Sequence, residues 1–183
     1  MRIKPAPGFM NRAVRILGID PGFRVTGFGI IDTDGQSSRY VAHGNIKSTH
    51  DEPAERLKNI FSVVREVIAE YQPQELAIEK VFVAKNADSA LKLGQARSAA
   101  MCATFESGIP VHEYAARLVK QSLTGRGGAD KSQVEHMVRV LLSYSGALTN
   151  DEADALGIAL CHAHTRSLNR LVQGATVAAG GPQ

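Results

Sequence analysis

No apolar run in this chain approaches the ~20 residues needed to span a membrane, and the amino terminus lacks the apolar core of a signal peptide. Both absences set the expectation of a soluble cytoplasmic protein that does not contact membranes. Cysteine is nearly missing as well. Cys102 and Cys161 both fall in apolar helical contexts and are too few to build a disulfide framework. No internal repeat and no break in composition divides the chain, and 183 residues support one well-buried domain but are short for two. A hydrophobic fraction of 44% beside 21% charged excludes general disorder.

What is present is a basic middle. Between Lys80 and Val140 nine lysines and arginines stand against five acids, a net charge of +4 where the whole chain carries +3. The positive excess is therefore local and suits an anionic partner. Strand-forming segments run over Val14–Asp20, Val25–Asp32 and Arg39–Ser48, and the Asp34-Gly35 pair between the last two is a hairpin signal. Asp51-Glu52-Pro53 opens a helix whose apolar residues recur at helical spacing from Leu57 to Ile68 and on to Tyr71. Leu76–Glu79 then reads as a short buried strand. Strand, helix, strand implies a parallel crossover that leaves Glu79 at the carboxyl edge of the sheet. An alanine-rich helix over Ala87–Ser107 and a strand over Pro110–Tyr114 follow, then helices over Ala115–Leu123, Lys131–Ser143 and Asp151–Leu171. The expected fold is α/β: one domain over 14–171 with a mixed five-stranded sheet and helices on both faces. A loose extension (1–13) and a flexible tail (172–183) are expected to flank it.

Four acids carry the chemistry. Asp20 ends the apolar strand Ile16-Leu17-Gly18-Ile19-Asp20 with no Lys or Arg beside it on the strand, and a lone charge there is costly to bury unless something pairs with it. Glu79 ends another strand. Asp151 and Asp154 lie at i and i+3 at the start of the last helix and share one face, with Asn150 as the expected N-cap. Singly, each has an ordinary reading. Asp20 caps a turn, Glu79 is an exposed strand end beside Lys80, and the helix acids favour the macrodipole. Together they form a pattern that can converge at one edge of the sheet. Carboxylates ~4 Å apart repel by roughly 4 kcal/mol at an effective dielectric near ~20, against a total domain stability of only ~5–15 kcal/mol. Hard divalent ions with oxygen ligands relieve that repulsion. Two of them ~3.5–4 Å apart activate a water and stabilise the leaving oxygen of a phosphodiester. The pattern points to a two-metal nuclease.

The stretches LGIDPGFRVTGFGII, AIEKVFVAKNADSALKLGQAR, EYAARLVKQSLTGRGGADKSQVEHMV and NDEADALGIALCHAH, in this order, closely resemble the RuvC family of Holliday junction resolvases. The likeness runs from about Arg15 to His164. It implies an RNase H-like fold and paired symmetric nicking of a four-way DNA junction by a homodimer in recombination and repair, leaving 5′-phosphate and 3′-hydroxyl ends. It implies two Mg²⁺ per active site, with Mn²⁺ as a substitute, and work alongside the RuvA–RuvB branch-migration complex. The catalytic and metal-binding acids carry over as Asp20, Glu79, Asp151 and Asp154. Some relatives have a histidine where this chain has Asp151.

Phe82 follows Glu79 by three residues. Buried, it would be a core aromatic; exposed beside the metals, it would stack on an unpaired base for ~1–3 kcal/mol. The resemblance implies the second. Lys120 and Lys131, with Arg117 and Arg126 nearby, surround the glycine-rich Gly125-Arg126-Gly127-Gly128. Single lysines on helices are usually only solvated, but this group is placed to grip phosphates, and the resemblance points to Lys120 and Lys131 in particular. Lys85 completes the expected DNA contacts. The alanine-rich helix is the expected surface for self-association.

Other readings stay open. Gly18-Ile19-Asp20-Pro21-Gly22 with Thr26-Gly27 resembles the first phosphate loop of sugar kinases and actin-like ATPases, which need a second domain of similar size. A non-catalytic junction-binding scaffold would gain nothing from clustered negative charge. Nuclease action on RNA–DNA hybrids is not separated from junction resolution by the carboxylates. Cys161-His162-Ala163-His164 puts only Cys161 and His164 on one helical face, with no second ligand pair, so no zinc site is expected there.

Overall fold

Period-two patterning in the strands decides which face each residue meets. In β1 (Val14–Asp20), Leu17 and Ile19 enter one hydrophobic core and Ile16 the other. Gly18 and Asp20 therefore share the face of Ile16. The computed structural model describes residues 13–49, 51–81 and 86–179, with side chains as far as Asn169. β2 (Val25–Thr33) pairs antiparallel with β1 and with β3 (Ser38–Lys47), while β4 (Glu75–Glu79) pairs parallel with β1 and with β5 (Val111–Tyr114). The sheet order is β3-β2-β1-β4-β5. This is the expected mixed sheet.

Two helical layers cover it. α1 (Pro53–Tyr71) and α2 (Ala87–Cys102) bury Ile60, Val64, Ala96 and Ala100 in the core of Leu17, Ile19, Leu76 and Ile78. α3 (Ala116–Thr124), α4 (Lys131–Leu142) and α5 (Asn150–Ala179) cover the other face, with Val119, Leu123, Val138 and Leu156 around Ile16 and Ala77. Arg15 fastens three elements: its guanidinium donates to both Asp32 oxygens at 2.8 and 2.9 Å and to the Tyr71 carbonyl at 2.8 Å. That carbonyl belongs to the carboxyl end of α1, where a cation also meets the helix dipole.

α5 lies unusually close to the sheet, and glycine makes the room. A Cβ at Gly18 would overlap the carbonyl oxygen of Ala155, and one at Gly27 would overlap that of Asp151. No residue with a side chain fits either position without moving the helix.

Two expected boundaries need correction. α2 stops at Cys102 rather than Ser107, because Thr104 Oγ1 donates to the Met101 carbonyl at 2.8 Å and Ser107 Oγ to that of Thr104 at 2.9 Å. Such local bonds compete with helix, and Gly108 at φ +64° completes the turn. At the other end, the flexible tail expected over 172–183 gives way to helix as far as Ala179. The segment 172–179 holds no proline, and the first one comes at Pro182. Residues 1–12 and 180–183 lie outside the described residues, as do Phe82 and Lys85.

Candidate active site

Asp20 is the last residue of β1 and Glu79 the last of β4, and the parallel register Ile19↔Ile78 makes them neighbours. Both face the α5 layer, Asp20 with Ile16 and Glu79 with Ala77. Asp20 also pairs across the antiparallel ladder with Gly27, on which the backbone of Asp151 rests. Asp154 follows one turn along α5. The structure thus brings the four acids, drawn from three elements, to one corner of the sheet.

Their electrostatics show the crowding. The Asp20 carboxyl is pushed up to about 8, first by burial and then by the charges of Glu79, Asp154 and Asp151, with Lys131 opposing. Glu79 is also raised, by burial and by Asp154, and is held back by a hydrogen bond with Asp20 and by Lys131 and Lys120. Lys131 Nζ stands 3.4 Å from Asp154 Oδ2, with its side chain mostly exposed. Two lysines, Lys131 and Lys120, are thin counterions for four carboxylates. The donor set is all oxygen and carries more negative charge than its surroundings balance. It fits a hard divalent cation.

Lys120 on α3 and Lys131 at the first position of α4 act on the acids from the neighbouring helices, and Asp130 caps α4 through a capping box with Gln133. Arg126 is exposed, and the side chain of Arg117 lies against Gly127. Neither arginine is among the leading charges that act on Asp20 or Glu79.

What aims Asp151 and Asp154 was not read from the sequence. The N-cap of α5 is Thr149 rather than Asn150: its Oγ1 accepts from the Glu152 amide at 3.4 Å, and Glu152 Oε2 accepts from the Thr149 amide at 2.7 Å. This is a capping box, and Thr149-Asn150-Asp151-Glu152 carries its spacing in plain view. Glu152 Oε1 also accepts from Asn45 Nδ2 at 3.0 Å and lies 3.3 Å from His43 Nδ1. The His43 Nε2 atom in turn meets the Tyr144 hydroxyl at 3.0 Å. Glu152 therefore pins the first turn of α5 to β3 and fixes the rotation of the two aspartates. Glu152→Ala is expected to cost about 1–2 kcal/mol in stability. In a nicking assay it should lower the turnover rate and leave DNA affinity within a few-fold; an unchanged rate would show that α5 needs no such anchor.

The sequence model of the family described as Crossover junction endodeoxyribonuclease RuvC matches residues 16–162. The chain belongs to the RuvC family. The crossover junction endodeoxyribonuclease RuvC of Methylococcus capsulatus is 55% identical over 158 residues, covering 86% of this chain and 95% of that one. RuvC of Vibrio campbellii is 53% identical over 167 residues, covering 91% and 96%. Among solved structures, T. thermophilus RuvC in complex with Holliday junction substrate superposes with a TM-score of 0.80 at 35% identity, covering 85% of this chain and 96% of that one. The yeast mitochondrial Holliday junction resolvase Ydc2, at 14% identity and a TM-score of 0.63, shares the fold. The fold is RNase H-like, a single domain in the RuvC arrangement. No helix among the described residues is long and apolar enough to cross a membrane.

Proposed function

We propose that this chain is a crossover junction endodeoxyribonuclease whose catalytic and metal-binding residues are Asp20, Glu79, Asp151 and Asp154. The observation that carries the reading is the convergence of the four acids at one buried corner of the sheet, where burial first and then the charges of Glu79, Asp154 and Asp151 push the Asp20 carboxyl up to about 8 against the opposing charge of Lys131. Two Mg²⁺ held by this set, or Mn²⁺ in their place, would supply water activation and neutralise the leaving oxygen of a phosphodiester. Asp20 and Glu79, each fixed by its strand, hold the positions on either side of the scissile phosphate. Asp151 and Asp154 complete the set from the rigid first turn of α5. Lys131 and Lys120 stand where they draw the phosphate backbone toward the acids, and Arg117 and Arg126 extend the basic surface; Lys85, outside the described residues, is carried over as a DNA contact from the sequence alone. Phe82 follows the site strand, and its ring stacks on an unpaired base at the junction centre.

A four-way junction offers equivalent strands, so a twofold dimer presents two matching sites. The surface we assign to it is the outer face of α2. Ala96 and Ala100 turn inward, while Leu91 is 63% exposed beside an open apolar groove of about 870 Å³ lined by Leu57, Phe61 and Ala90. Paired nicking, with 5′-phosphate and 3′-hydroxyl ends, follows from two such centres. The cytoplasmic setting and the work with a RuvA–RuvB branch-migration complex are carried over from the family.

The test is a nicking assay on synthetic four-way junctions, linear duplex and RNA–DNA hybrid, with Mg²⁺ and with chelator. Paired symmetric nicks in the junction alone, abolished by chelator, are expected. Equal cutting of the hybrid would replace resolvase with a general RNase H-like nuclease, and tight binding without cutting would leave a scaffold. If six to ten phosphates are contacted, affinity falls ~10³–10⁵-fold between ~50 and ~200 mM salt. Phe82→Ala should slow junction cutting more than it weakens duplex binding; an unchanged cutting rate removes the stacking role.

A further inference from the structure

At the far end of β4 from the nuclease centre lies a second group of donors. Glu75 opens the strand that Glu79 closes and shares its face, four residues away, or roughly 13 Å along the strand. α5 covers the same span in the reverse direction: His162 lies eight residues beyond Asp154, about 12 Å along the helix axis. Glu75, a His162 that is only 3% exposed, and His112 of β5 each offer one ligand atom, all within 4.8 Å of one another.

The surroundings orient these donors. His162 Nε2 lies 2.5 Å from Glu75 Oε2, and its Nδ1 lies 2.6 Å from the Tyr114 hydroxyl. Arg166 Nε donates to Glu75 Oε1 at 2.9 Å and to Oε2 at 3.2 Å. The His112 ring stacks on His162 at 4.3 Å, and among the described residues its nitrogens have no hydrogen-bond partner. Metal sites are built in this way: the second ring nitrogen of a ligating histidine is hydrogen-bonded, and so is the ligating carboxylate. A hydroxyl both donates and accepts, so Tyr114 serves either tautomer of His162 and lets Nε2 turn its lone pair to an ion without orphaning Nδ1. Arg166 holds Glu75 mainly through Oε1 at 2.9 Å, so Oε2 can exchange its longer Arg166 contact and its His162 contact for an ion.

We propose that Glu75, His112 and His162 form a binding site for a borderline divalent transition ion of the Zn²⁺ class, separate from the nuclease centre and joining β4, β5 and α5. Two imidazoles and one carboxylate select Zn²⁺ over Mg²⁺, which demands oxygen ligands. Ligand atoms on a tetrahedral ion at ~2.0–2.1 Å stand ~3.3 Å apart, so His162 and Glu75 must part by somewhat under ~1 Å on binding. Three protein ligands leave the fourth position to water. Sequence spacing alone hides the site, because its donors come from three elements.

The test is dialysis of the full-length protein against Zn²⁺ in excess Mg²⁺, with retained metal counted by elemental analysis and melting followed in the same buffers. Wild type and Asp20→Asn are each expected to retain about one Zn²⁺ per chain and to melt higher with it. His112→Phe preserves the ring stack and Glu75→Gln preserves a partner for Arg166, so a folding failure in one leaves the other to decide. Each should bind Zn²⁺ at least ~10-fold more weakly, the loss that disturbing a metal site's supporting residues already brings. The proposal is overturned if wild type retains no Zn²⁺, if Asp20→Asn loses it, which would assign the ion to the carboxylates, or if His112→Phe and Glu75→Gln bind it undiminished.

Discussion

Asp20→Asn is expected to abolish junction nicking and at the same time raise the melting temperature of the metal-free protein. The first effect follows from removing a proposed metal ligand at the centre of the acid cluster: several kcal/mol of transition-state stabilisation amount to about 10³-fold or more in rate. The second follows from linkage. The Asp20 carboxyl stands at about 8 in the folded protein against 3.8 for an unperturbed group, so between those values the folded state holds more protons than the unfolded one. Stability is then full below pH ~4 and falls as pH rises toward ~8. Taken over the interval from 3.8 to pH 7, the loss is roughly 4 kcal/mol at 1.36 kcal/mol per unit. Asparagine mimics the neutral carboxyl, so the variant should lose most of this slope. At 2–4 °C per kcal/mol for a chain of this size, its melting temperature at pH 7 should rise by on the order of 10 °C. Junction binding should stay intact or tighten, since a negative charge facing DNA is gone. A variant that melts lower, or that loses binding while folded, would mean that Asp20 serves the structure rather than the metal.

Gly27→Ala carries the next largest effect, at a residue with no functional group. The added methyl would occupy the place of the Asp151 carbonyl oxygen, and the first turn of α5 must move away from β2. Overpacking of this kind costs about 1–3 kcal/mol. A displacement near 1 Å at the ligands costs on the order of 10²-fold in rate. The expected signature is a folded, DNA-binding protein that nicks ~10²-fold more slowly. A variant with wild-type turnover would show that the close seating of α5 does not set the position of Asp151 and Asp154.

The parts of this arrangement differ in how openly the sequence displays them. β1 runs over Val14–Asp20 as expected, because a short apolar run bounded by Asp20-Pro21-Gly22 has one reading. The placement of Asp20 and Glu79 at one edge followed from their positions at strand ends and the parallel crossover. The reach of Lys120 and Lys131 to the acids depends on how α3 and α4 pack against α5, which periodicity does not encode; the family likeness supplied it. The end of α2 was misplaced because Thr104 and Ser107 settle it through side-chain bonds to the backbone. The anchor of α5 was misassigned to Asn150 although the Thr149–Glu152 spacing was present, since Asn is itself a favoured cap. The roles of Gly18 and Gly27 are invisible in one dimension, because a glycine that admits a helix looks the same as one that merely bends a strand.

The most direct measurement is the anomalous scattering of Mn²⁺ in crystals of the protein grown with that ion. Two Mn²⁺ are expected ~3.5–4 Å apart, with oxygens of Asp20 and Glu79 in ligand contact and Asp151 and Asp154 completing the set. A map in which no ion lies within coordination distance of Asp20, under conditions where the enzyme cuts junctions, would contradict the shared-metal centre.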